Sequence, residues 1–334
     1  MRALVLAAGK GERARPLTDH LPKPLLPIAN KPVMAYILEH LARHGFTDVL
    51  VNLHYCGDRI VEHFGDGSRY GVRLLYSWEE ELLGSAGTVK RNRDFFGDET
   101  FLVIGADDLT DMDLTALLAH HVRVGAAASV GLAEVEETSQ FGIVVTDQHG
   151  RIERFVEKPK ADAPSNTANT QIYLFEPVIF DFIPPGQWYD FGYDVFPELV
   201  NHAEPFYGFA LPGYWRDIGS VDDYLAAQQD VMEQRLQASP QGEQASPGLW
   251  VGEGCEIDPH ARLTPPALIG PHCRIGAGAA VGDGTALAPG IAVPPSTSLS
   301  RCVVWEGARV PPGQELRGAV IGPEGVIAVA LEAG

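Results

Sequence analysis

Leu4 to Lys23 reads L-V-L-A-A-G-K-G-E-R-A-R-P-L-T-D-H-L-P-K. The apolar run from Leu4 to Ala8 is the pattern of a short buried strand. It empties into Gly9 and Gly11, followed by Arg13 and Arg15, a set of prolines, and Lys23. Glycines let backbone N–H groups come close to a ligand, and cationic side chains supply the charge a polyphosphate must meet. Formally, Gly9 to Ala14 fits the dinucleotide fingerprint G-x-G-x-x-A. That fingerprint needs a helix at once, and Pro16, Pro22, Pro24 and Pro27 leave no room for one. The next expected strand, Asp48 to Leu53, does not end in an acidic residue to hold a ribose. A P-loop fails as well, because Glu12 follows Gly11 where Lys is required.

Composition narrows the setting. The chain has 334 residues, enough for two domains. No apolar stretch reaches the ~20 residues of a membrane span, and the apolar run after Arg2 is too short for a signal peptide. Cys56, Cys255, Cys273 and Cys302 are scattered, with no C-x-x-C pair. That argues against zinc and against a disulfide framework, and points to a reducing cytoplasm. The formal net charge of −19 argues against nucleic acid as a partner. It also means that any polyphosphate site must be locally basic or bridged by a metal.

Short apolar strands alternate with helical patterns through the first part of the chain. Strands are expected at Ala3–Ala8, Asp48–Leu53, Val72–Tyr76, Phe101–Ile104 and Ala127–Leu132. A helix is expected from Pro32 to about His44, stopped by Gly45. This rhythm predicts an α/β fold with a mostly parallel sheet, whose ligands gather beyond the carboxyl ends of the strands. Gly9 to Arg15 and Asp107 both fall at such ends, so two loops distant in sequence are expected to meet over one ligand. A helix from about Val221 to Leu236 closes this region, giving a first domain of residues 1–236. A polar, Pro- and Gly-containing linker follows at 237–248. Beyond it, Val251, Ile257, Leu263, Ile269, Ile275, Val281, Leu287, Val293 and Leu299 recur every sixth residue. That period predicts a parallel β-helix over 249–334, with a register slip near Arg301 before Val304, Val310 and Leu316. His260 and His272 fall at its turns and read as surface residues.

Six motifs together resemble the sugar-1-phosphate nucleotidylyltransferase family. Gly9-Lys10-Gly11-Glu12-Arg13, Pro16-Leu17-Thr18, Pro22-Lys23-Pro24 and Pro27-Ile28-Ala29-Asn30-Lys31-Pro32 carry the first. The second, Glu80-Glu81-Leu82-Leu83-Gly84-Ser85-Ala86-Gly87, is similar to the family's base-binding loop; as a plain helix start it would also make sense. The third delivers Asp107 where the family binds metal, with Ala106 in place of the usual Gly and an unusual Asp108. Asp111 or Asp113 there also suits the cap of the helix starting near Leu114. The fourth joins Phe141-Gly142 to Glu157-Lys158-Pro159. The fifth, Asn169-Thr170-Gln171-Ile172-Tyr173, resembles N-A-G-I-Y with Thr170 and Gln171 replacing Ala and Gly. The sixth is Trp215-Arg216-Asp217-Ile218-Gly219.

The resemblance implies a Rossmann-like domain followed by a left-handed hexapeptide-repeat β-helix, through which the chain would form a homo-oligomer. It implies that a nucleoside triphosphate and a sugar 1-phosphate are joined with loss of pyrophosphate, without a membrane partner. Ala8, Gly9, Gly11, Glu81, Gly84, Ser85 and Gly87 would bind the nucleotide. Arg13 would hold the leaving phosphates and Lys23 the α-phosphate. Gly142, Glu157, Lys158 and Asn169 would bind the sugar phosphate, and Asp107 and Asp217 would hold Mg2+. The Leu-Gly-Ser-Ala-Gly loop with a short hexapeptide tail is most similar to mannose-1-phosphate guanylyltransferases, implying GTP and mannose 1-phosphate. Glucose 1-phosphate with UTP or dTTP is the alternative pair, and a non-catalytic, nucleotide-sugar-binding paralogue is the alternative class.

Overall fold

The computed structural model describes residues 1–238, 240 and 242–329. Contacts divide the chain into two units, Met1–Gly9 with Ile37–Trp215 and Lys10–Tyr36 with Arg216–Gly334. Ser239 and Gln241 of the expected linker, and residues 330–334 of the expected repeat region, lie outside the described residues.

The first unit is built on a nine-stranded sheet. Its strands are β1 (Arg2–Leu6), β2 (Asp48–Leu53), β3 (Arg73–Trp78), β4 (Phe101–Gly105), β5 (Ala128–Glu134), β6 (Gly142–Thr146), β7 (Ile152–Glu157), β8 (Thr167–Phe175) and β9 (Phe206–Ala210). The main path runs β7-β6-β8-β4-β1-β2-β3, with β5 paired to β8 and β9 to β5. β4, β1, β2 and β3 are mutually parallel, as are β5 and β9. β8 is antiparallel to β4, β5 and β6. The five strands expected from apolar runs appear within two residues at each end. β6 and β7 are partly solvated, which hides them from a search for apolar runs.

Helices α1 (Val33–Arg43), α2 (Gly57–Phe64), α3 (Gly84–Arg91) and α4 (Leu114–Val124) connect the parallel strands. α1 begins at Val33 rather than Pro32, because Pro32 pairs with Pro27 in a short hairpin. Asp113, not Asp111, caps α4 by accepting from Ala116 N. Ala3, Leu4 and Val5 of β1 are fully buried, as the apolar run requires. Phenylalanines fill the layer beside β4 and β8. Phe96 stacks on Phe101 at 4.1 Å and Phe175 on Phe191 at 4.7 Å.

His40 ties α1 to the segment before α4 through a bond between Nε2 and Met112 O at 2.8 Å. It is 1% exposed, and burial, then His44 and Arg43, push its pKa down from 6.5 to about 4, against Met112 O and Asp111. The neutral ring is therefore the folded form.

In the second unit the proline-rich segment after Lys10 forms only single turns, a 3-10 turn at Glu12–Ala14 and a one-turn helix at Leu17–His20. The sequence predicted no helix here; one turn forms because Pro16 stands at its N-cap, where a missing N–H costs nothing. Pro27–Ile28 pairs with Lys31–Pro32 around Ala29 and Asn30, both at positive φ, as in a two-residue hairpin turn. Helix α5 (Val221–Met232) starts at Ser220, whose hydroxyl accepts from Asp223 N.

The repeat region forms three sheets whose coil-to-coil pairs are parallel, the largest carrying an antiparallel strand at each edge. Leu249 pairs with Ala267 and Ala267 with Thr285, an eighteen-residue step made of three six-residue edges. The step falls to seventeen at Ala286↔Val303 and Ser298↔Glu315, which is the slip expected near Arg301. Ile269, Ile275, Val281, Leu287, Val293 and Leu299 stack inside. Cys273 and Cys302 are buried with them, and burial pushes the Cys273 thiol up to about 11. His260 and His272 are exposed. Part of the expected linker is ordered as a strand, Glu243–Ser246, antiparallel to Leu249–Val251. Among the described residues no helix is long and apolar enough to cross a membrane.

Two predictions follow from this packing. A His pKa lowered in the fold makes stability complete above pH 6.5 and lost as pH falls toward 4, by roughly 3 kcal/mol for His40. His40→Gln keeps a donor for Met112 O and removes the titration. Urea midpoints at pH 7 and pH 4.5 will therefore differ less in the variant than in the native chain. Leu287→Ala deletes a fully buried side chain from the β-helix core and will lower stability by about 2–5 kcal/mol, read from the denaturation midpoint.

Candidate functional site

In the second unit the glycine turn is locked by its neighbours. Gly11 sits at φ +66, and a Cβ there would stand 2.8 Å from Thr18 Cγ2 and 3.1 Å from Lys23 Cγ. Thr18 Oγ1 donates to Gly11 O at 2.9 Å. Only glycine fits this conformation and this space. The turn brings two cations to one carboxylate: Arg13 Nη2 lies 3.2 Å from Asp217 Oδ2, and Lys23 Nζ lies 3.9 Å from Asp217 Oδ1. The Lys23 and Asp217 side chains are 10% and 9% exposed, the Arg13 side chain 44%. A Cβ on Gly219 would stand 2.7 Å from Asp217 Oδ2 and 3.0 Å from Arg13 Nη1. The glycine of the Trp-Arg-Asp-Ile-Gly motif thus makes room for the pair. Ser220 caps α5, so the helix start does not occupy Asp217.

In the first unit, Ala8 is buried at the end of β1 and Gly9 is exposed, with nothing within 4 Å of an added Cβ. Ala7 N donates to Asn52 Oδ1 at 2.7 Å, and Asn52 Nδ2 donates to Glu79 Oε1 at 2.9 Å. Glu79 also accepts from Thr88 Oγ1 and Leu83 N. This buried chain fixes the end of β1 against the start of α3. Sequence reading singled out Glu81, which is exposed; Glu79, 4% exposed, is the carboxylate that organises the loop. The signal for Glu79 was Asn52, a polar residue near the end of an otherwise apolar strand.

The small residues of the Gly84–Gly87 loop have an internal reason to be small. A Cβ on Gly84 would stand 2.4 Å from Tyr189 O, and one on Gly87 2.7 Å from Gln187 O. Ala86 N and Gly87 N both donate to Tyr189 O at 3.0 Å. Ser85 Oγ donates to Asp190 Oδ2 at 2.8 Å and accepts from Phe191 N. The loop opens α3, as its helix-start reading expected, and it receives the 187–191 segment.

At the end of β4, Asp108 is 1% exposed and accepts from Trp215 Nε1 at 3.1 Å. Asp107 is less buried. The unusual Asp108 is therefore the anchor for the Trp215 indole, a partner 107 residues away that sequence reading did not foresee.

The fourth and fifth motifs sit on β6, β7 and β8. The Glu157 carboxylate is wedged between two glycines: its Oε2 would lie 2.7 Å from a Cβ on Gly142 and 2.5 Å from one on Gly192. Burial pushes its pKa up, opposed by Lys158, whose Nζ lies 3.4 Å away, and reinforced by Asp190. Lys158 itself is at φ +45 with its side chain 46% exposed. Asn169 is 7% exposed and bonded internally, its Nδ2 donating to Tyr173 OH and its Oδ1 accepting from Gln171 N, each at 2.9 Å.

Asp107 in the first unit and Asp217 in the second each carry hard carboxylate oxygens, and no group of three or more His, Cys, Asp or Glu forms a metal cage among the described residues. One or two carboxylates, with the remaining positions left to phosphate oxygens and water, is the donor set that suits magnesium.

The model of the nucleotidyl transferase family matches residues 2–234, and that of the bacterial transferase hexapeptide, with six repeats, matches residues 248–290. A UTP–glucose-1-phosphate uridylyltransferase of Synechocystis is 42% identical, covering 75% of this chain and 69% of the relative. A mannose-1-phosphate guanylyltransferase of Mycobacterium tuberculosis is 34% identical, covering 78% of this chain and 77% of the relative. Among solved structures, a Bacillus anthracis protein assigned as a glucose-1-phosphate thymidylyltransferase superposes with a TM-score of 0.62 at 25% identity, covering 68% of this chain and 94% of that one. With the strand-to-glycine turn, the sheet and the hexapeptide coils all accounted for, the chain belongs to the sugar-1-phosphate nucleotidylyltransferase family.

Proposed function

We propose that this chain transfers a nucleotidyl group from a nucleoside triphosphate to a sugar 1-phosphate, releasing pyrophosphate. The observation that carries this is the pairing of Arg13 and Lys23 with Asp217, two cations turned on one carboxylate by a glycine turn that admits no side chain. Such a cluster suits phosphates of high charge in a protein of net charge −19.

In this reading an oxygen of the sugar phosphate attacks the α-phosphorus, and the bond to the bridging oxygen breaks. Pyrophosphate leaves in line with both electrons of that bond. Catalysis is positioning and charge neutralisation, with no nucleophilic side chain. Arg13 holds the departing β- and γ-phosphates, and Lys23 stabilises the charge that grows on the α-phosphate. Ala8, Gly9 and Gly11 border the triphosphate, and Gly84, Ser85 and Gly87 border the base, with Glu81 at the rim. Lys158 orients the attacking phosphate, and Gly142, Glu157 and Asn169 meet the sugar. Asp107 and Asp217 hold magnesium, which when bound neutralises phosphate charge. Residues 1–236 form the catalytic part, and the β-helix of residues 249–334, beyond the 237–248 linker, joins copies of the chain into a homo-oligomer acting in the cytoplasm.

For the substrates, UTP and glucose 1-phosphate are the leading pair, supported by 42% identity to the uridylyltransferase against 34% for the guanylyltransferase. GTP and mannose 1-phosphate are the second reading, supported by the Leu-Gly-Ser-Ala-Gly loop.

Lys23→Ala will lower kcat by about 10²–10³-fold with an unchanged circular dichroism spectrum; near-native turnover removes Lys23 from the mechanism. A panel of UTP, dTTP, GTP and ATP against glucose and mannose 1-phosphates, read by pyrophosphate release, will give its highest kcat/KM for UTP with glucose 1-phosphate. A chain that releases none with any pair is a binding paralogue instead.

A further inference from the structure

β8 does not run straight. Asn169 is opposite Leu132 and Tyr173 is opposite Val130, so the residues between them bulge away from β5. At the apex Gln171 adopts φ +57, a left-handed conformation that costs a long side chain about 1–2 kcal/mol over glycine. Its neighbours over-determine that geometry. Asn169 Oδ1 accepts from Gln171 N, and the fully buried Thr170 donates from Oγ1 to Gly131 O at 2.8 Å. Strain held in place by surrounding bonds marks a conformation the fold keeps for a purpose. The bulge alone calls for glycine; the side chain needs another explanation.

That side chain is exposed, yet it is not aimed at bulk solvent alone. A Cβ on Gly105 would stand 2.6 Å from Asp108 Oδ2, 3.0 Å from Gln171 Oε1 and 3.1 Å from Asp107 Oδ1, so the carboxamide shares this point with two carboxylates. Gly105, the last residue of β4, thus leaves a slot that the carboxamide enters beside the Asp107 carboxylate. A carboxamide both donates and accepts, so it reads the position and direction of a hydroxyl.

We propose that Gln171 determines which hexose 1-phosphate this chain accepts, its carboxamide bonding one ring hydroxyl from the slot above Gly105. The inference rests on the sugar-phosphate reading of β6 to β8 given above. A site built to bond a hydroxyl rejects the epimer that misplaces it, because the carboxamide, once covered by the bound sugar, then has no partner.

The full-length chain is compared with Gln171→Gly and Gln171→Ala. Glycine relieves the left-handed backbone, whereas alanine keeps a Cβ there and removes the carboxamide with its methylene. The measurement is kcat/KM for glucose, mannose and galactose 1-phosphates, by pyrophosphate release with the best nucleotide. Both variants are expected to narrow the ratio between the preferred and the second sugar at least tenfold. The KM for the nucleotide is expected to stay within twofold, and the melting temperature of Gln171→Gly to equal or exceed that of the native chain. Native activity with sugar ratios unchanged within twofold in either variant overturns the role of the amide and leaves the transferase reading intact. A native chain without turnover on any pair overturns both.

Discussion

The carbonyl of Pro27 has two buried donors, Tyr224 OH and Gln228 Nε2, each at 2.8 Å, and much of the second unit hangs on this arrangement. A segment with prolines at 22, 24, 27 and 32 lacks the N–H groups to build regular structure, yet its carbonyls still need partners when buried. Helix α5 supplies them from side chains. Gln228 uses its other amide atom as well, accepting from Ala29 N at 2.7 Å, so one fully buried side chain holds the hairpin turn by two bonds. Leaving such groups unpaired would cost about 1–3 kcal/mol each.

The same helix carries the β-helix. Trp305 Nε1 donates to Tyr224 OH, and Trp250 Nε1 donates to Met232 O. Asn30, in the hairpin turn, donates to Leu287 O on a coil of the β-helix. The glycine-turn segment after Lys10, the helix after Asp217 and the hexapeptide coils therefore share one packed body. The linear order of the chain suggests a catalytic domain followed by an appendage. Packing instead joins residues 10–36 to the repeat region, because the prolines make that segment depend on donors that come late in the chain.

The motifs were legible as residue types, and the structure adds local reasons for them that the sequence did not show. Gly84 and Gly87 belong to the expected base-binding loop, and in the structure their missing side chains also admit the Gln187–Tyr189 backbone. Asn169, expected to meet the sugar, also bonds Tyr173 OH and the strained Gln171 backbone. Asp108 read as an anomaly, and it anchors an indole. For the two glycines and for Asp108 the partner lies about a hundred residues along the chain, which no local pattern contains.

Burial that repeats along a strand or a coil is local information, so the sequence by itself determined the parallel strands of the first unit and the six-residue repeat, down to the slip near Arg301. It also placed Gly9 and Gly11 between an apolar strand and two cations; that only glycine fits at position 11 came from the packing of Thr18 and Lys23 against it. Tertiary structure alone decided that Asp217 is the carboxylate those cations share, across 204 residues, and that Glu79 rather than Glu81 is buried ahead of the Gly84–Gly87 loop. It alone decided that Gln171 stands in a left-handed bulge. Charge pairing, burial and backbone strain are properties of what is brought together, and only the packed chain brings these residues together.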